Sequence, residues 1–75
     1  MFQKGQILKY NLDKFDRDHK DLDPVIHTSL RRLAEEYRFE ILEVNPQGYK
    51  LKRIDDGKEN TFSKQETEAS LVPAT

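Results

Sequence analysis

Aspartates crowd one stretch of this chain: Asp13, Asp16, Asp18, Asp21 and Asp23 all fall within residues 11–23. At that density carboxylates can share a hard cation such as calcium. The spacing does not carry that chemistry. Asp16-Arg17-Asp18-His19-Lys20-Asp21 lacks the glycine at the sixth position and the closing glutamate of an EF-hand loop, and Lys14, Arg17 and Lys20 interrupt it. A solvated loop that neutralises its own charge is expected there, with no metal. His19 and His27 are the only histidines and lie eight residues apart, whereas zinc catalysis wants three protein ligands and a helical pair would be spaced at four. Ser29 and Ser63 have no nucleophile elbow around them. Glu40 and Glu43 do not form a recognisable acid–base pair. Gly5, Gly48 and Gly57 are isolated, so no loop cradles a phosphate. Neither enzymatic activity nor a cofactor is expected.

The cationic residues are better placed to bind something. Lys50, Lys52, Arg53, Lys58 and Lys64 gather along a predicted hairpin and just beyond it, a layout that can track a phosphate backbone. His27, Arg31, Arg32 and Arg38 supply a second basic surface on a predicted helix. Exposed strand lysines also serve simply to discourage edge pairing, and Glu40, Glu43, Asp55, Asp56 and Glu59 are interspersed.

Bulk properties narrow the field. A chain of 75 residues with 35% hydrophobic and 36% charged side chains makes one domain with a small core, which rarely leaves more than roughly 3–5 kcal/mol of stability. No cysteine is present, so neither a disulfide framework nor a thiolate zinc site adds to it, and a reducing compartment fits. Association into a homo-oligomer is the remaining route. With 13 basic and 14 acidic side chains the net charge is −1, so attraction to nucleic acid or anionic lipid would need a local patch. No apolar run is long enough to span a bilayer, and Met1-Phe2-Gln3-Lys4-Gly5-Gln6 lacks the apolar segment of a signal peptide. A cytoplasmic protein that does not engage membrane is the expectation.

The elements that would position these residues follow from periodicity. Residues 1–10 hold a first strand, whose register is left open by the adjacent Ile7 and Leu8. Residues 11–23 read as an acidic loop held down by Phe15 and Leu22. Asp23-Pro24 starts a helix over 24–38, because an aspartate accepts from free first-turn amides and proline suits the first helical position. Val25, Ile26, Ser29, Leu30, Leu33, Ala34 and Tyr37 form its apolar stripe. Residues 39–73 read as a β-meander with a closing strand. Phe39 and Ile41 lie on one parity and Leu42 and Val44 on the other, which predicts a bulge. Tyr49 and Leu51 share one face, Lys50 and Lys52 the other. Asn45-Pro46-Gln47-Gly48 and Asp56-Gly57 are turns. Residues 63–69 allow a single helical turn.

Carried by Gly48-Tyr49-Lys50-Leu51, Asp56-Gly57, Thr61-Phe62 and Leu71-Val72-Pro73, residues 39–73 resemble the latter four strands of an SH3-like small barrel. That resemblance implies a binding module for peptides, protein surfaces or nucleic acid. Thr28-Ser29-Leu30-Arg31-Arg32-Leu33-Ala34-Glu35-Glu36, followed by Phe39-Glu40-Ile41 and Gly48-Tyr49-Lys50-Leu51, is similar to a winged-helix recognition helix and hairpin. There, His27, Thr28, Arg31 and Arg32 would face the major groove with Lys50 and Lys52 on the wing.

The expected fold is thus α+β and mainly β: a five-stranded SH3-like barrel or strongly bent antiparallel sheet, with one amphipathic helix between strands one and two. Val25, Ile26, Leu30, Leu33 and Tyr37 should meet Ile41, Leu51, Phe62 and Leu71. The expected function is a non-catalytic module binding a protein partner, an accessory or inhibitor protein such as phages and mobile elements encode. Nucleic-acid binding is the alternative.

Overall fold

Asn45 and Gly57 set the two turns from which the sheet is built. In the computed structural model, which describes residues 2–74, β2 (Phe39–Asn45) passes to β3 (Gly48–Arg53) through Pro46-Gln47. The Asn45 carboxamide accepts from the Gln47 and Gly48 amides at 3.0 and 2.9 Å. Gly57, at φ +73°, supplies the left-handed step that β-carbons resist and leads from β3 into β4 (Glu59–Ser63). β1 (Ile7–Tyr10) and β5 (Leu71–Pro73) complete one open antiparallel sheet in the order β4-β3-β2-β1-β5. The predicted slip in β2 is a register shift between Ile41 and Glu43.

Register separates the two faces. Cross-strand partners share a face, so the pairs Leu8–Phe39, Tyr10–Leu71, Ile41–Leu51 and Tyr49–Phe62 define the inner one. Leu8, Phe39, Ile41, Tyr49, Leu51 and Leu71 are its buried core, with Phe2, Tyr10 and Tyr37 packed against them. Leu8 rather than Ile7 points inward, which settles the ambiguity of the first strand. The outer face pairs Glu40 with Lys52, Glu43 with Lys50 and Lys52 with Glu59. Opposite charges directly across a ladder favour that face staying in water.

Among the described residues there are three helices, not one. Residues 11–23 were expected to be a loop, yet α1 spans Leu12–Asp18. The Asn11 side chain caps it by accepting from the Lys14 amide at 3.2 Å, and Lys14 pairs with Asp18 one turn on. Leu22 does not hold this region down; it is exposed. Residues 63–69 form two turns rather than one: α3 spans Lys64–Ser70, capped by the Ser63 hydroxyl accepting from the Glu66 amide at 3.1 Å. α3 packs on β3, β4 and β5, burying Thr67.

α2 spans Pro24–Glu36 and is capped by Asp23, whose carboxylate accepts from the Val25 amide at 2.9 Å. It ends two residues before the predicted limit of 38, because Tyr37 turns extended at ψ 138°. The larger correction concerns its orientation. Val25, Ile26, Leu30 and Leu33 do not meet Ile41, Leu51, Phe62 and Leu71; all four are exposed, and of the stripe only Ala34 is buried. Tyr37, just past the helix, does pack against the core. The physical reason is competition for one surface. α3 occupies the inner face of the sheet, while α2 lies against β1 and α1 and is held there by its polar side.

Candidate functional site

Asp16 on α1 is what turns α2 around. Arg31 Nε donates to both Asp16 carboxylate oxygens at 3.1 and 3.3 Å, and Arg31 Nη1 pairs with Glu35. His27 Nε2 lies 3.1 Å from Asp16 Oδ1 but off the line of a hydrogen bond. The Phe15 ring stacks between His19, at 4.3 Å between centroids, and His27, at 5.9 Å. These contacts fix the His27–Arg31–Ala34 side of α2 inward. Helical periodicity then puts the other side in solvent: Val25 is 74% exposed, Ile26 52%, Leu33 47% and Leu30 39%, continued by Leu22 at 37%. A run of branched aliphatic side chains left in water on one helix face is the largest departure of this molecule from an ordinary surface.

The residues of the two basic sets are distributed over several elements, and some are paired with carboxylates. Lys50 and Lys52 lie on the outer face, whereas Arg53, paired across the ladder with Phe39, lies on the inner one. Lys50 Nζ sits 3.5 Å from Glu59, and Lys52 stands between Glu40 and Glu59. Arg53 forks onto Asp55 through Nε and Nη2 at 2.6 and 2.8 Å, with Asp56 at 3.7 Å. That fork holds the Asp55 carboxyl below its ordinary range and keeps the guanidinium charged. The same guanidinium stacks 3.7 Å over the Tyr37 ring, a cation–π contact. Lys58 lies in the loop after β3 and Lys64 opens α3. Of the second set, His27 and Arg31 face α1, and Arg38 donates to the carbonyls of Glu35 and Tyr37, both at 2.8 Å, closing the end of α2. Arg32 alone stands free of these contacts, exposed beside the apolar stripe.

Beside the core, α3 and the sheet frame a shallow groove of about 180 Å³ lined by Tyr10, Phe39, Leu51, Phe62, Thr67 and Leu71. It carries one polar atom without a partner, the buried Thr67 Oγ1. Its walls are mainly apolar, with Glu66 and Ser70 completing the lining on the α3 side. Among the described residues no three of His, Asp and Glu come together as metal ligands. Burial pushes Tyr49 and Tyr10 above their ordinary value, and the Tyr49 hydroxyl donates to Glu68 at 2.9 Å while accepting from the Phe2 amide at 3.3 Å.

The sequence named these aliphatic residues correctly and assigned them to the core. Periodicity cannot distinguish a stripe that faces a sheet from one that faces solvent. The available signal was the opposite side of the helix, where His27 and Arg31 could reach an acidic partner upstream. Compared with family models, with curated proteins and with solved structures, the chain matches none. Among the described residues, no helix is long and apolar enough to cross a membrane.

Proposed function

We propose that this chain is a non-catalytic protein-interaction module of the cytoplasm, an accessory or inhibitor protein whose binding surface is the apolar face of α2. One observation carries the reading: Val25, Ile26, Leu30 and Leu33 are held in solvent by a helix whose other side is already engaged. Full burial of such a side chain from water is worth about 1.5–3 kcal/mol, and docking would recover the share that corresponds to the surface still open, 39–74% here. The strand order β4-β3-β2-β1-β5, with a short helix before the last strand, supports reading the bent sheet as SH3-like.

Charge placement favours nucleic acid less. The hairpin lysines face carboxylates on the outer face, and only one helix precedes α2, where a winged-helix domain has two. In that mode His27 and Arg31 would also have to face outward, and both are turned to Asp16. The test is capture from native lysate with the wild-type chain and with Leu30→Glu. Leu30 lies on the surface, so the variant should fold and lose the captured protein. Retention on DNA or RNA that falls steeply with salt, with capture unchanged by the variant, would reverse the assignment.

A further inference from the structure

We infer that the open edge of β4 is a second binding site, which takes an extended segment of a protein partner as a sixth strand of the sheet. This goes beyond the α2 face and rests on other residues. The sheet has two edges, β4 and β5. β5 is three residues long and ends in Pro73, which has no amide to donate; short edges with proline resist pairing. β4 runs five residues, Glu59–Ser63, all exposed, with no proline and no register shift against β3. The strand lysines that could guard an edge, Lys50 and Lys52, lie on β3, one strand in.

Pairing with β3 fixes which backbone groups of β4 are left over. The Arg53 amide donates to the Lys58 carbonyl at 2.8 Å. The Phe62 carbonyl also points at β3, since a β-carbon on Gly48 would lie 1.9 Å from its oxygen. Bonded and non-bonded pairs alternate along an antiparallel ladder, so Asn60 and Phe62 are engaged with β3. Glu59 and Thr61 therefore aim both amide and carbonyl away from it, and the Ser63 amide continues the row. An extended backbone presents donors and acceptors at that same two-residue repeat.

Side chains and charge say what that segment carries. Asn60 and Phe62, across from Leu51 and Tyr49, belong to the inner face. Beside Phe62 lies the groove with the buried, unpartnered Thr67 hydroxyl, and a second hollow adjoins it towards Asn60 and Lys58. Alternate side chains of an added strand, about 7 Å apart, fall on this face and meet the two hollows in turn. Apolar residues suit both, and one with a polar tip reaches Thr67 Oγ1. Glu59 is already matched to Lys50 at 3.5 Å. Lys58 and Lys64, at the two ends of the strand, have no carboxylate within ion-pair distance among the described residues. The complementary segment is thus apolar at alternate positions and acidic at both ends. A second copy of the chain fits worse: antiparallel pairing of β4 with itself about Thr61 sets Lys58 of one copy towards Lys64 of the other.

Amide hydrogen exchange, read by NMR with a panel of capped synthetic peptides of that pattern, tests the assignment. In the free chain the Glu59 and Thr61 amides should exchange fast and those of Asn60 and Phe62 slowly. Saturating peptide should slow Glu59 and Thr61 at least about tenfold and leave Asn60 and Phe62 little changed. Peptides ending in lysine instead should bind several-fold more weakly, a difference that shrinks as salt rises. Thr61→Pro removes an outward amide without breaking a bond to β3. The variant should keep the wild-type circular dichroism and bind peptide about tenfold more weakly. Should it misfold, methylating alternate peptide amides reads the same bonds: one set of positions should abolish binding and the other preserve it. Thr61 exchange unmoved by any peptide overturns the inference, as does binding indifferent to both methylation patterns. Slowing of the same amides by protein concentration alone assigns the edge to a second copy and overturns it too. Lysate capture with Leu30→Glu reports on α2 separately, so either reading can fail while the other stands.

Discussion

Gly48 shows how tightly the meander is drawn. A β-carbon there would lie 1.9 Å from the Phe62 carbonyl oxygen on the neighbouring strand, a distance that only a backbone shift could relieve. Gly48→Ala should therefore cost about 3 kcal/mol, measured as a fall in the urea midpoint with an unchanged slope. A loss within experimental error would show that β3 and β4 can separate there without penalty. Tyr49 makes a second residue-scale case. Its phenol is raised by burial above the ordinary 10.0, as is that of Tyr10. A raised pKa in the folded state means that the unfolded chain loses its proton first as pH rises. This contribution is therefore intact below about pH 10 and declines as the pH climbs through the folded-state values. Tyr49→Phe should cost about 1 kcal/mol at neutral pH through its lost hydrogen bonds and make the alkaline decline shallower. Parallel alkaline limbs for the two proteins would contradict the assignment.

At the scale of elements, much of the fold was legible and the missing parts share a cause. The β2 bulge, the hairpin turns, the split of Tyr49 and Leu51 from Lys50 and Lys52, and the Asp23-Pro24 helix start all follow from local rules, and all are present. α1 was missed because its cap, Asn11, and its five nearby aspartates are equally at home in a loop; the Lys14–Asp18 pair and Phe15 packing decide for helix. α3 was underestimated because Lys64-Gln65-Glu66-Thr67-Glu68-Ala69-Ser70 shows little apolar periodicity, having one buried residue, Thr67. Its Ser63 cap supplies a local reason for it to form. Ser63→Ala should remove about 1 kcal/mol, seen in thermal unfolding, and expose the α3 amides to faster hydrogen exchange. Unchanged exchange across α3 would mean that packing on the sheet, not the cap, holds it. The candidate site was half legible for the same reason. Which residues make the stripe is a local property; which way the stripe faces depends on Asp16, Arg31 and a third helix far along the chain.

For the molecule as a whole, the contrast lies between what the sheet covers and what it leaves open. Its inner face is covered in part by α3, which leaves the shallow groove beside Phe62, and its outer face sets lysines opposite carboxylates. Uncovered aliphatic surface is concentrated on α2, and the deep core is correspondingly small. The first and last strands of the described chain are direct neighbours running in opposite directions, with Leu8 across from Pro73 and the Ala74 amide bonded to the Ile7 carbonyl at 3.0 Å. Tension applied at the two termini would thus enter at one corner and strain one rung of that ladder before the next. Under load, such a join unzips progressively, rung by rung, from the end where the two termini meet.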